Sequence, residues 1–235
     1  MKKFKGINGS TLKILAITTM LIDHIGAAVL EYWLKFATWS PQDEALYERI
    51  YQVNHILRSI GRLALPIFCF LLVEGYIHTK NHVKYAQRLL LFALISEIPF
   101  DLAFFNSIFA ATSQNIYFTL FIGFLVMFGI EYFDKKVIPQ TLVCAAGLCT
   151  AQLLSTDYGF KGIFLIIVLY YLRNYRTEQA LCGAVAISWQ RIAGFAFLPI
   201  YVYNGKRGLS LKYLFYWFYP VHLLILTGIA RLLMP

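Results

Sequence analysis

Long apolar stretches follow one another along the chain, separated by short polar segments. A membrane-spanning helix needs about 20 mostly apolar residues, and eight stretches approach that pattern. Their bounds are Leu12–Leu34, Ile60–Ile77, Leu89–Phe105, Ile116–Phe133, Val137–Leu154, Gly162–Leu172, Leu181–Tyr203 and Leu211–Leu233. The sixth is short for a complete crossing, and Gln190-Arg191 and Pro199 interrupt the seventh. The pattern predicts an all-α, polytopic membrane bundle of about eight helices that forms a single domain over residues 1–235.

Composition agrees with this prediction. Hydrophobic residues make up 59% and charged residues 14% of the chain, against roughly 45–50% and 25% in a soluble domain. A soluble protein of 235 residues could not bury so much apolar surface, so the composition excludes that class. The four cysteines form no CxxC pair. We therefore expect neither a zinc site nor a redox motif, and no metal.

The basic N-terminus resembles a signal peptide, but the apolar segment after it is too long, which favours a first transmembrane helix. Lysines and arginines in short loops are more frequent on the cytoplasmic side, so their distribution indicates how a membrane protein is oriented. With the N-terminus in the cytoplasm of a bacterial inner membrane, ten cations lie inside: Lys2, Lys3, Lys5, Lys80, Lys84, Arg88, Lys135, Lys136, Arg173 and Arg176. Seven lie outside: Lys35, Arg49, Arg58, Lys161, Lys206, Arg207 and Lys212. Topology thus explains most of the net charge of +9 without nucleic acid, but the basic Asn204 loop falls on the wrong side.

The first helix contains ionisable residues where a span should be apolar. Such residues are costly inside a membrane and indicate a functional site. Lys13 and His24 are eleven residues apart, which places them on one helix face about 16 Å apart. A neutral histidine is a suitable general base. The candidate catalytic residues are therefore His24 and Asp23, and Asp23 points away from His24 toward a neighbouring helix.

Two further clusters lie in the second and third spans. Arg58 and Arg62 share a helix face, where two guanidiniums suit an anion or anchor the helix at the interface. Glu97 and Asp101 lie one turn apart around Pro99. They are candidates for an acid–base pair or, as we prefer, for counter-ions of Arg62 and Arg191, because unpaired buried charges are costly.

The C-terminal part adds a third group of candidates. Asn204-Gly205 predicts a turn, and Lys206 and Arg207 follow it. Tyr216 begins an aromatic run that an interfacial belt would explain. His222, just after Pro220 inside a span, is not explained by such a belt.

Several of these blocks, in order and over nearly the whole chain, resemble the TraX family. They are Lys13 with His24, Ile22-Asp-His-Ile-Gly26, Ile60-Gly-Arg-Leu-Ala64 with Pro66, Ile95-Ser-Glu-Ile-Pro-Phe-Asp101, Gln114-Asn115, Tyr203-Asn-Gly-Lys-Arg-Gly208 and Tyr216-Trp-Phe-Tyr-Pro-Val-His222. The family's named activity is acetylation of the amino terminus of conjugative pilin. It is similar to multi-span acyltransferases of the acyltransferase-three type, in which a basic residue and a histidine have the spacing of Lys13 and His24.

The resemblance implies acetyl transfer from acetyl-CoA to an amine or hydroxyl, with His24 as base or acyl carrier. The implied acceptor is a pilin N-terminus, an envelope polymer or a small molecule. The candidate donor- or substrate-binding residues are Lys13, Arg58, Arg62, Glu97, Asp101, Asn204, Lys206, Arg207, Tyr216 and His222. The alternative functions are a small membrane transporter or export channel, and a non-catalytic pilus or envelope assembly factor.

Overall fold

The computed structural model describes residues 6–209 and 212–233. Within them the chain is helical, which confirms the predicted all-α class. The helices are α1 (Gly9–Ile25), α2 (Glu31–Phe36), α3 (Glu44–Gly61), α4 (Ala64–Ile77), α5 (His82–Phe104), α6 (Ile116–Tyr132), α7 (Val137–Leu153), α8 (Gly159–Tyr171), α9 (Arg176–Ala186), α10 (Phe197–Tyr201) and α11 (Lys212–Leu233). Lys2, Lys3, Lys5 and Leu211, which enter the sequence predictions, lie outside the described residues.

Among the described residues, three helical segments are long and apolar enough to cross a membrane: Gly9–Phe36, Pro41–Ile77 and Tyr213–Leu233. The first joins α1 to α2 through a π-helical turn at Gly26–Leu30. Its 28 residues extend about 42 Å, which exceeds a hydrocarbon core of about 30 Å. The Asn8 side chain caps its start by accepting from the Thr11 amide at 3.0 Å.

The seventh predicted span, Leu181–Tyr203, is wrong as one continuous helix. The segment instead forms α9, a turn, a 3-10 helix at Arg191–Ala196 and α10. Its two ends meet, because the Arg176 guanidinium lies 5.4 Å from the Tyr203 ring centroid. We call residues 176–201 the re-entrant hairpin. Phe197 packs so closely on Gly183 that any side chain there would clash, and this contact brings the two arms together.

The hairpin changes which side the basic Asn204 loop occupies. The Asn204 amide donates to the Ile7 carbonyl at 2.9 Å, and the Gly9 amide donates to the Lys206 carbonyl at 2.7 Å. The loop therefore lies at the start of α1, on what we call the N-terminal face. Lys206, Arg207 and Lys212 therefore lie at the same end of the helices as the described cations Lys80, Lys84, Lys135 and Lys136, and Lys35, Arg49 and Lys161 lie toward the opposite end, the far face. The conflict with the topology rule disappears.

The hydrophobic core is formed by side chains from α1, α4, α6 and α8. Its fully buried side chains include Leu12, Ile67, Phe70, Phe124, Met127, Ile163, Leu165, Ile166 and Leu169. Because α3 ends against Asp23 of α1, and any side chain at Gly61 would collide with Asp23, these two helices cross in close contact. The α7–α8 connection and the tip of the re-entrant hairpin lie near the same level. A cavity of about 1050 Å³ opens above them toward the far face.

Candidate functional site

The site is built around two buried histidines from the first and last helices. His24 Nδ1 of α1 lies 2.6 Å from His222 Nε2 of α11. The ring planes differ by 3° and the centroids are 4.9 Å apart. Rings in one plane, with this separation, form an in-line hydrogen bond between the two imidazoles rather than a face-to-face stack. His222, which an aromatic belt did not explain, is therefore a direct partner of His24.

The backbone fixes where the protons lie on both rings. His222 Nδ1 lies 2.6 Å from the Phe218 carbonyl oxygen, which can only accept. His222 Nδ1 must therefore carry a proton, and in the neutral ring Nε2 is the acceptor. His24 Nδ1–H donates to it, so the remaining nitrogen of neutral His24, Nε2, has a free lone pair. The Phe218 carbonyl and His222 thus fix the orientation of neutral His24 and leave its Nε2 able to accept a proton.

Aromatic rings enclose this pair. Phe104 of α5 meets His24 edge-on at 5.4 Å between centroids, and Tyr219 of α11 does so at 5.9 Å. His24 has 9% of its surface exposed and His222 5%. Packing on several sides restricts rotation of the imidazole and excludes bulk water from it.

Asp23 lies on the side of the His24 ring that carries Nε2. Its Oδ2 is 3.9 Å from His24 Nε2 and accepts a charge-assisted hydrogen bond from Arg58 Nη1 at 2.6 Å. The prediction that Asp23 contacts a neighbouring helix is confirmed. Arg58 Nε also lies 3.2 Å from Glu31 Oε1. Because Arg58 already holds two carboxylates of the chain, the geometry makes it a positioning residue for Asp23 rather than a ligand of an anionic donor.

Arg62 belongs to the same charged centre but faces the α7–α8 connection. Its guanidinium interacts electrostatically with Tyr158, Asp23 and Asp157. Tyr158 has a φ of 66°, in the left-handed region that non-glycine residues seldom adopt. The pKa of the Asp157 carboxyl, in this connecting loop, is raised to about 7, mainly by burial and also by the nearby Asp23, while Arg62 and Arg58 oppose the shift.

In the sequence, Asp157 and Tyr158 lie in the short segment between the fifth and sixth predicted spans, and neither was predicted as a site residue. The available signal was an aspartate followed directly by a tyrosine in a short segment between two apolar stretches. Only the tertiary fold brings that pair to the first helix.

A second group of predicted residues lies on the N-terminal face. Lys13 Nζ is 5.3 Å from the centroid of Phe215 in the first turn of α11. Lys13 and His24 therefore both face α11, as the eleven-residue spacing predicts. Arg207 acts electrostatically on Lys13, and Asn204 and Lys206 belong to the adjoining loop. These residues are about three helical turns from His24, so the predicted site residues separate into two groups.

Arg88 joins this second group although the sequence assigned it only to topology. It interacts electrostatically with Tyr216, the predicted substrate-binding tyrosine. Its guanidinium also lies 5.5 Å from the Tyr85 ring centroid, and the buried Nε has no hydrogen-bond partner. Within the described part of the chain, no carboxylate lies within 4.0 Å of the Arg88 guanidinium.

The predicted counter-ion role of Glu97 and Asp101 is wrong. Glu97 Oε2 accepts from the Asn115 side-chain amide and from the Asn115 backbone at 3.3 Å. Asp101 Oδ2 accepts from the Ala110 amide at 2.8 Å. Both carboxylates bind amides of the α5–α6 connection, because that segment folds back over the end of α5. They hold this connection and lie apart from Arg62 and Arg191.

Comparison with known proteins places this arrangement in a family. The model of the TraX protein family matches residues 8–230. The chain belongs to the TraX family. It is 30% identical, over 92% of this chain and 93% of the relative, to the probable fimbrial assembly protein FimC, serogroup H1, of Dichelobacter nodosus. It is also 26% identical to an uncharacterised protein of Rickettsia prowazekii (strain Madrid E), over 75% of this chain and 60% of that one. No solved structure matches this TraX-family chain.

Proposed function

We propose that this TraX-family protein is an integral membrane acyltransferase that moves an acetyl group from acetyl-CoA to an amine or hydroxyl. One observation carries the proposal. The Phe218 carbonyl and His222 together hold neutral His24 with its Nε2 lone pair free, beside the Asp23–Arg58 pair. An oriented, water-shielded imidazole is the group needed to activate a nucleophile.

In this proposal His24 alone carries the proton from the acceptor to the leaving group. Nε2 accepts the proton of the acceptor N–H or O–H as that atom attacks the thioester carbonyl. The new C–N or C–O bond forms, and the C–S bond then breaks. The imidazolium returns its proton to the departing thiolate. Asp23, 3.9 Å from Nε2, stabilises the positive charge that His24 carries between these steps.

We further propose that the donor binds on the N-terminal face. Acetyl-CoA is anionic at its nucleotide end, and Lys13, Arg88, Lys206 and Arg207 concentrate positive charge there. The pantetheine arm separates the nucleotide phosphates from the thioester, which suits cations lying about three turns from His24. This arrangement puts the N-terminal face in the cytoplasm and the protein in the bacterial inner membrane, as the cation distribution favours.

The acceptor is a component of the pilus or the envelope in this proposal. The support is the printed name of the Dichelobacter relative, a probable fimbrial assembly protein. The same name favours a second candidate, a non-catalytic role in fimbrial assembly. The two differ in whether the His24 imidazole is needed.

Labelled acetyl-CoA, incubated with the purified protein in lipid nanodiscs and a panel of amine and hydroxyl acceptors, tests the proposal. His24→Ala should lower transfer by about 10²–10⁴-fold, the usual contribution of a general base. His78→Ala is the matched control, because His78 is exposed and binds only a carbonyl of its own helix end. Equal transfer by wild type and His24→Ala would contradict the catalytic role. A fimbrial assembly phenotype that survives His24→Ala would favour the second candidate.

A further inference from the structure

The cavity on the far face is polar to an unusual degree for the interior of an apolar chain. Hydroxyls from Ser59, Ser155 and Thr156 line it together with the amides of Gln152 and Gln190. The Gln190 side-chain oxygen is buried and has no hydrogen-bond partner. At about 1050 Å³, the cavity is slightly larger than the usual range of about 300–1,000 Å³ for ligand sites. A wall of fixed donors and acceptors suits a ligand with many hydroxyl groups.

The cavity wall also carries more positive than negative charge. Arg62, Lys161 and Arg191 line it, against the single carboxylate of Asp157. Arg62 and Asp157 interact with each other. In the described residues no carboxylate lies within 4.0 Å of the other two cations. Topology does not explain them, because cations are otherwise sparse toward this face.

An aromatic platform completes the wall. Trp189 lies at the tip of the re-entrant hairpin and is 40% exposed. The Lys161 ammonium lies 4.6 Å from its ring centroid, and Tyr158 packs near it at 6.0 Å. An exposed indole face beside cations can pack against the C–H face of a sugar ring while the cations hold an acidic substituent. The strained backbone of Tyr158 fixes this edge of the cavity.

The cavity adjoins the charged centre of the proposed active site. Arg62 lines the cavity and interacts with Asp23 as well. A ligand in the cavity would thus contact the residue that lies between it and the Asp23–His24 pair. The cations proposed to bind the donor lie at the opposite face, so the two substrates would approach from different sides of the bundle.

We infer that this cavity binds the acceptor and that the acceptor is an acidic sugar, a saccharide unit bearing a carboxylate or phosphate. That the bound sugar is the acceptor of the acetyl group rests on the proposed function. Binding itself does not depend on that function. The cations at Lys161 and Arg191 hold the acidic substituent, and Trp189 holds the ring.

Isothermal titration calorimetry of the full-length protein in nanodiscs, without acetyl-CoA, tests sugar binding separately from acyl transfer. The probes are an oligosaccharide of glucuronate, phosphorylated glucose, an oligosaccharide of glucose, inorganic phosphate and an acidic peptide. Wild type should bind one or both acidic sugars more tightly than the neutral sugar or inorganic phosphate. The double variant Lys161→Gln/Arg191→Gln should weaken that binding by at least about tenfold, since each lost charged hydrogen bond is worth about that factor.

The matched control is Lys84→Gln/Lys136→Gln, which removes two exposed cations from the N-terminal face and should leave sugar binding unchanged. Trp189→Ala should weaken sugar binding and leave any residual phosphate binding as it was. The inference would be overturned if inorganic phosphate bound as tightly as the acidic sugars, or if the acidic peptide bound more tightly. It would also be overturned if neither of the two acidic sugars bound. Sugar binding without acyl transfer would leave the site standing and contradict the proposed function instead.

Discussion

Two helix crossings in this molecule bury carboxylates, and they use them differently. We call the contact of α1 with α3 and α11 the histidine crossing; it contains Asp23, His24, Arg58 and His222. The contact of α5 with the start of α6 is the asparagine crossing, formed by Glu97, Asp101 and Asn115. In the first, Asp23 pairs with a guanidinium beside a free imidazole lone pair. In the second, the carboxylates accept from amides.

The difference shows how a buried carboxylate can be interpreted. A carboxylate that binds neutral backbone and side-chain amides stabilises a chain connection, and its surroundings offer no group that can carry a proton through a reaction. A carboxylate that lies between an arginine and an oriented histidine stabilises a charge that appears on that histidine. Burial is common to both crossings, so the identity of the partners separates a site from a scaffold.

The largest expected effect comes from breaking the ion pair of the histidine crossing. Asp23→Ala removes the principal partner of Arg58 and leaves its positive charge poorly paired. Loss of one member of a buried pair costs about 3–5 kcal/mol, and the remaining contact with Glu31 favours the lower end. Thermal unfolding in detergent should therefore show a markedly less stable protein.

The double variant Asp23→Leu/Arg58→Leu is the control, because it removes both members of the pair. Glu31, which loses its contact with Arg58, is exposed and can be solvated instead. It should be more stable than Asp23→Ala while remaining inactive. If the double variant were the less stable of the two, the pair would not be a buried ion pair of the kind described.

Next in size is the loss of the orienting histidine. His222→Ala removes the acceptor of the His24 Nδ1–H bond, so His24 can rotate or hold its proton on the other nitrogen. Loss of such an orienting contact typically costs 10–100-fold. The expected loss is in kcat rather than in KM for the donor. His222→Gln should recover part of the rate, because its side-chain oxygen can accept the same bond. A merely structural role would predict equal defects for the two variants and an unchanged pH profile.

The asparagine crossing should behave in the opposite way. Asn115→Ala removes the cap on the Tyr117 amide at 3.0 Å and the bonds to Glu97 and to the Ala93 carbonyl. We expect about 2 kcal/mol of lost stability, with transfer per folded molecule within about twofold of wild type. Gln87→Ala, at an exposed position of α5, should alter neither. A large loss of transfer in a fully folded Asn115→Ala protein would place this crossing in the active site after all.

The sequence predicted the parts of the fold that depend on apolar length and helical spacing. Most spans begin and end within a few residues of the predicted bounds, and Lys13 and His24 both face α11. The re-entrant hairpin was missed because 23 residues with a polar interruption satisfy the length of one crossing as well as two short arms. Spacing within one helix says nothing about partners on other helices. For that reason the roles of Glu97, Asp101 and Tyr158 became visible only in the tertiary structure.

Asp157 tests the comparison further, because its half-buried carboxylate interacts both with a backbone amide, that of Tyr158, and with an arginine. Its backbone amide donates to the Gln114 carbonyl at 2.8 Å, and its carboxylate interacts with Arg62 and Asp23. Burial raises its pKa from an ordinary value near 3.9 to about 7, so the folded state holds this proton more tightly than the unfolded state. The resulting stabilisation is complete below about pH 4 and is lost as pH rises through 7. Because the Asp157 carboxylate lines an open cavity, solvent screens much of this effect, and we expect about 1 kcal/mol to remain. Asp157→Asn should therefore melt about 3 °C higher than wild type at pH 8 and match it at pH 4. The exposed Asp134→Asn should change neither value in differential scanning calorimetry. A lower melting temperature for Asp157→Asn at pH 8 would mean that the arginines outweigh burial, and would make Asp157 a second ion-pair partner of the Asp23 type.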